Sequence, residues 1–154
     1  MTSYVAVVGP ADATPEQGRT AYEVGRLLAA AGATVLCGGH GGVMAEAARG
    51  AAEGGGVSIG VLPGVDRSGA AEHLTFALPT GLGQLRNGVL VTAADGVLAV
   101  GGSWGTLNEV ALARRLGKPL VALGFWGIDG PEDDLVRASD AADAVRLLLA
   151  LIAS

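Results

Sequence analysis

Short apolar runs rich in β-branched residues end on glycine or proline, and most are followed by a stretch with helical spacing. A chain written this way has few folds open to it. Strands that alternate with helices run parallel, are joined by right-handed crossovers and carry helices on both faces of one sheet. Residues 4–8, 33–37, 57–62, 96–100 and 119–123 read as the strands, with 119–123 the last. A weaker strand is expected over 74–78, ended by Pro79. The expected fold is one doubly wound, mostly parallel α/β sheet of the Rossmann-like kind, filling residues 1–154 as a single domain.

The helices follow from local signals. Thr14-Pro15-Glu16-Gln17 opens the first: Thr14 as N-cap, Pro15 at the first helical position and Gln17 closing a capping box. Ala21, Val24, Leu27, Leu28 and Ala31 then recur at helical spacing until Gly32. Further helices are expected over 43–53, over 84–92 and from the last glycine cluster through Leu116. Ser139 is placed to cap a final one carrying Val145, Leu148, Leu149 and Ile152 on one side. Residues 124–136 read as irregular.

Glycine concentrates where such a fold binds ligands, beyond the carboxyl ends of the strands. One cluster, CGGHGGVMAEA, brings Gly38, Gly39, Gly41 and Gly42 to the start of a helix. A second, GGSWGTLNE, does the same with Gly101, Gly102, Ser103, Gly105 and Thr106. Glycine lets backbone amides approach an anion, and a helix start presents unpaired N–H groups to it. Neither cluster continues into Gly-Lys-Ser/Thr or has the Gly-x-Gly-x-x-Gly spacing, so neither ATP hydrolysis nor hydride transfer is expected. A third stretch, PTGLGQLRN, offers Thr80, Gly81, Arg86 and Asn87 after a strand end, with Arg86 placed to reach the same crevice. Glu109 has two readings: the acid of a Thr106-x-x-Glu109 capping box, or a carboxylate beside the phosphate site.

Other classes are disfavoured. A formal net charge of −5 argues against nucleic acid as a partner. The lone cysteine, Cys37, sits in an apolar run and reads as a buried thiol. The two histidines, His40 and His73, have no cluster around them, so no metal site is expected. No leader and no membrane-spanning stretch is visible, which points to the cytoplasm. Helices rich in alanine and leucine, residues 147–151 among them, predict a homo-oligomer.

Taken together, CGGHGGVMAEAARGA, PTGLGQLRN and GGSWGTLNEVALARRLGKPL resemble the Lonely Guy-like superfamily of Rossmann folds, also labelled lysine decarboxylase-like, and within it the molybdenum-cofactor carrier branch. The likeness runs from Val5 to about Leu123. It implies a homodimer or homotetramer whose second glycine loop cradles a phosphate, with no cofactor required. The ligand it implies is a molybdenum-cofactor-like pterin or a nucleoside monophosphate. In the cytokinin-activating members, an Arg and the Glu of the second motif serve release of the base from a nucleoside 5′-monophosphate, and Arg86 and Glu109 are the matching positions. Two departures favour the carrier branch. Val100 stands where those enzymes have Pro before the Gly-Gly pair, and Arg86 lies in Leu85-Arg86-Asn87 rather than in Glu-Arg-Lys. Binding without turnover is thus the first expectation and phosphoribohydrolase activity the second. Lysine decarboxylation is not expected, because the only lysine is Lys118, beside a strand-opening proline.

Overall fold

A computed structural model describes residues 1–130 and 135–154. Five strands form the centre: β1 (Tyr4–Val8), β2 (Thr34–Cys37), β3 (Ser58–Leu62), β5 (Gly96–Val100) and β6 (Leu120–Leu123). They are flanked by β4 (Phe76–Pro79) and β7 (Val136–Arg137) in the order β4-β3-β2-β1-β5-β6-β7, every pairing parallel. The chain leaves β1 towards one edge through β2, β3 and β4, then returns to the other side of β1 as β5. The strand order therefore reverses between β1 and β5, the place where open α/β sheets form a crevice for ligands.

Helices α1 (Pro15–Ala30), α2 (Val43–Glu53) and α5 (Ala141–Ala153) cover one face. Their core partners there are Val5, Val7, Val35, Leu98 and Val121. Helices α3 (Arg86–Ala93) and α4 (Trp104–Arg115) cover the other face, over Ala6, Val8, Leu36, Val97 and Ala99. The period-2 alternation of β1 and β5 divides their side chains between these two cores, which is why both strands are apolar at every buried position. Helices α1 and α2 touch backbone to backbone: a Cβ on Gly25 would overlap the carbonyl of Ala47, and one on Gly50 that of Tyr22.

The expected fold class is the observed one, with local corrections. The last strand is β7, paired with β6, not the run at 119–123. The part of the expected irregular stretch at 131–134 lies outside the described residues. Pro79 ends β4 from inside it, opposite Leu62 in the register; β4 is an edge strand, where a proline without an N–H is tolerated. The helix expected at 84–92 begins at Arg86, after a 3-10 turn over Gly83–Leu85. Ser139 does not cap α5. The N-cap is Asp140, which accepts from the Asp143 amide, while Ser139 donates from its backbone and hydroxyl to the Asp143 carboxylate.

Candidate functional site

The two glycine clusters are chemically unlike once folded. At the first, Gly42 (φ 64°) is the N-cap of α2 and packs so closely on the chain at Pro10 and Ala11 that a Cβ would overlap both carbonyls. The Val43 amide donates to the Pro10 carbonyl at 3.1 Å. The loop after β1 therefore takes up the first N–H of α2, while those of Met44 and Ala45 have no protein acceptor among the described residues.

The second cluster is open. Gly101 (φ 70°) turns the chain out of β5 and lies against the Gln17 side chain, where a Cβ would meet Nε2. Ser103 is the N-cap of α4: its Oγ accepts from the Thr106 amide at 3.2 Å and lies 2.9 Å from Thr106 Oγ1. The amides of Trp104 and Gly105 have no protein acceptor among the described residues. These N–H groups carry the partial positive charge of a three-turn helix. A Cβ on Gly105 would come no nearer to any atom than 3.8 Å, from Ser103 Oγ, so that side of the loop is accessible.

Arg86 opens α3 and is buried, 8% exposed. Its guanidinium lies against Gly38 at the end of β2, so closely that a Cβ on Gly38 would overlap Nη1. The Nε of Arg86 is a buried donor with no hydrogen-bond partner among the described residues. A cation this deep normally has its donors satisfied. Burial pushes the guanidinium below its ordinary pKa, opposed by the charge of Glu109. Glu109, on the buried side of α4, is likewise 8% exposed. Burial pushes its carboxyl up to about 7, with the Arg86 charge pulling the other way. Cys37, beneath them, is raised to about 11 by burial, which makes it an inert thiol.

The sequence profile of the SLOG cluster4 family matches residues 2–150. The chain belongs to that family. The molybdenum cofactor binding protein of Rippkaea orientalis superposes with a TM-score of 0.92 at 34% identity, over 99% of this chain and 98% of that one. The molybdenum cofactor carrier protein of Chlamydomonas reinhardtii superposes with a TM-score of 0.89 at 36% identity, over all of both chains. An uncharacterised protein of Archaeoglobus fulgidus is 34% identical over 136 residues, 84% of this chain and 89% of its own length. The resemblance to the carrier branch of the Lonely Guy-like superfamily is therefore correct.

Within this SLOG domain, Gly38, Arg86 and Glu109 come together between α3, α4 and the end of β2, and Gly101, Gly102, Ser103 and Gly105 form the open loop that starts α4, the helix carrying Glu109. Thr106 turns its hydroxyl and its amide to Ser103, so it builds the cap. Glu109 closes no capping box, because Ser103 takes the N-cap position and Thr106 becomes the third helical residue. Thr80 stands apart: its hydroxyl donates to the Leu62 carbonyl at 2.7 Å and accepts from the Leu82 amide, holding the turn after β4. Gly81 (φ 67°) serves the same turn through its bond to the Gly64 carbonyl. Gly39 (φ 82°) packs on Gly60 and Leu62, whereas Gly41 has only one neighbour near its Cβ direction, the Ala11 carbonyl at 3.7 Å.

Sequence reasoning overlooked four features here. Asn108 receives a hydrogen bond from Asn87 at 2.9 Å. Trp104 is 79% exposed at the mouth of the open loop, edge-on to Trp126 with ring centroids 5.3 Å apart. Trp126 covers Gly102, whose Cβ would lie 2.7 Å from the indole. Gly9 seals the end of β1 against the Val100 carbonyl and Val43. The exposed aromatic inside a glycine loop was the visible signal for Trp104. Trp126 lies after β6, and nothing local links it to Gly102.

Proposed function

We propose that the chain binds a phosphate-bearing small molecule, specifically a molybdenum-cofactor-like pterin, and holds it without turnover. The observation that carries this reading is the open start of α4, with the Trp104 and Gly105 amides unpaired on the helix whose Glu109 is charge-coupled to a buried arginine with an unpartnered Nε. Backbone donors at a helix terminus and a guanidinium are groups that suit a phosphate. The two similar structures that bind or carry the molybdenum cofactor support the pterin over other phosphorylated ligands. Gly101, Gly102, Ser103 and Gly105 would hold the phosphate, with Arg86 compensating its charge.

Glu109 favours binding over chemistry. With its carboxyl raised to about 7, much of it is neutral at physiological pH. A neutral acid stabilises a developing oxocarbenium cation poorly. The alternative, phosphoribohydrolysis of a nucleoside 5′-monophosphate, rests on the same pair, Arg86 and Glu109, lying at one crevice.

Mass spectrometry of small molecules released from protein purified from a molybdate-supplied host tests the first reading, and a phosphorylated pterin is the expected species. Purified protein incubated with a panel of nucleoside monophosphates should release no free base. Steady base release, abolished in Glu109→Gln, would establish the alternative.

A further inference from the structure

Between α3 and α4 runs a groove of about 440 Å³, lined by Gln84, Leu85, Asn87, Trp104, Asn108 and Leu112. It is large enough for a small bicyclic ring. Gly105, whose amide belongs to the open loop, lies on its wall, so groove and loop are continuous. Its composition is that of a ring-binding slot. One wall is an indole held edge-on by Trp126, and the other is leucine. Between them sit two side-chain amides bonded to each other through Asn87 Nδ2 and Asn108 Oδ1. That bond leaves the carbonyl oxygen of Asn87 and the amino group of Asn108 as an adjacent acceptor and donor. An indole 79% exposed beside such a floor is out of keeping with a merely solvated surface.

We propose that this groove receives the flat heterocycle of the ligand whose phosphate lies on the 101–106 loop: Trp104 stacks on the ring, and the Asn87–Asn108 pair hydrogen-bonds its polar edge. The ring class follows from that chemistry. A pterin and a guanine both present an amino-oxo-pyrimidine edge, donor beside acceptor, which a crossed pair of amides matches. The inference rests on the phosphate reading above and extends it from the phosphate to the ring.

The two tryptophans of the sequence, Trp104 and Trp126, both lie at this place, so intrinsic fluorescence reports on it alone. In Trp126→Phe, Trp104 is the sole indole. The probes are inorganic phosphate, ribose 5-phosphate, GMP and neopterin monophosphate, with thermal shift and fluorescence titration as readouts. Neopterin monophosphate and GMP should quench Trp104 and bind on the order of tenfold tighter than ribose 5-phosphate, the usual worth of one aromatic stack. That gain should fall to within about twofold in Trp104→Ala and shrink in Asn108→Leu, while the thermal shift with inorganic phosphate persists in both. Equal affinity for ribose 5-phosphate and the ring-bearing probes would overturn the slot and leave the phosphate reading standing. A ring-dependent gain that survives both substitutions would also overturn it. If neither phosphate nor ribose 5-phosphate shifts the melting temperature, the phosphate reading itself fails. Should Trp104→Ala change only the sedimentation of the protein, with no ring-dependent gain in wild type, the groove belongs to a second copy of the chain and the proposal falls.

Discussion

A carboxyl group as buried as that of Glu109 costs stability whenever it ionises. Its value of about 7, against an ordinary 4.5, sets the sign. The folded state binds the proton more tightly than the unfolded one, so stability is fullest below about 4.5 and is lost as pH rises through about 7. The loss is at most ~3 kcal/mol, with Arg86 already offsetting part of the burial. Glu109→Gln removes the titration. Urea unfolding at pH 5.5 and pH 8 should show wild type losing more stability across that interval than the variant does. Equal losses would mean that Glu109 is not the group responsible. Gly105 allows a cleaner probe of the loop. Because its Cβ direction is open, Gly105→Val should fold normally, and valine suits a helix better than glycine. The new side chain would stand over the free amides. The thermal shift with inorganic phosphate seen in wild type should then vanish, and an undiminished shift would remove the loop from the site.

At the scale of elements, the same residue type serves opposite ends. Gly50 in α2 and Gly88 in α3 are both helical glycines, yet a Cβ on the first would overlap the Tyr22 carbonyl, while one on the second meets nothing within 4 Å. Gly50→Ala should destabilise by about 1–3 kcal/mol through overpacking, and Gly88→Ala should stabilise by about 0.5–1 kcal/mol by restricting the unfolded chain. Thermal melts of the two variants check both signs. This contrast marks the limit of sequence reading. The strands at the sheet centre were legible, since burial on both faces makes them continuous apolar runs. The Thr14–Gln17 capping box was legible because all its atoms are local, and both of its hydrogen bonds form. Of the two readings of Glu109, the capping box does not form, because Ser103 and Thr106 compete for one cap and only backbone geometry decides between them. At the site, glycine loops and the Arg86–Glu109 pair were visible as motifs. The bond of the Thr80 hydroxyl to the Leu62 carbonyl and the Asn87–Asn108 pair join residues 18 and 21 apart, beyond any local pattern.

At the scale of the molecule, the exposed apolar surface is not where the leucine-rich tail of the sequence suggested. In α5, Leu148 is buried and Leu147 and Leu149 pack on the core, so that helix spends most of its apolar side chains on its own sheet. Part of the unspent surface lies on the opposite face. Leu82, Val89 and Leu116 are exposed there, outside the groove. Val89 lies on α3 and Leu116 follows α4, the two helices of that face. Exposed aliphatic side chains on the helices of one face mark a contact surface, and a second copy of the chain presents the same surface to pair with. The protein should therefore sediment as a dimer or tetramer at micromolar concentration. The double substitution Val89→Glu with Leu116→Glu, at positions outside the groove, should yield monomers, since like charges would face each other across a two-fold contact. Neither position is in a buried core, so the monomers should keep the helical circular dichroism of wild type. A wild-type monomer throughout the micromolar range would leave these leucines without a partner of their own kind. A variant that stays dimeric would move the contact to another face.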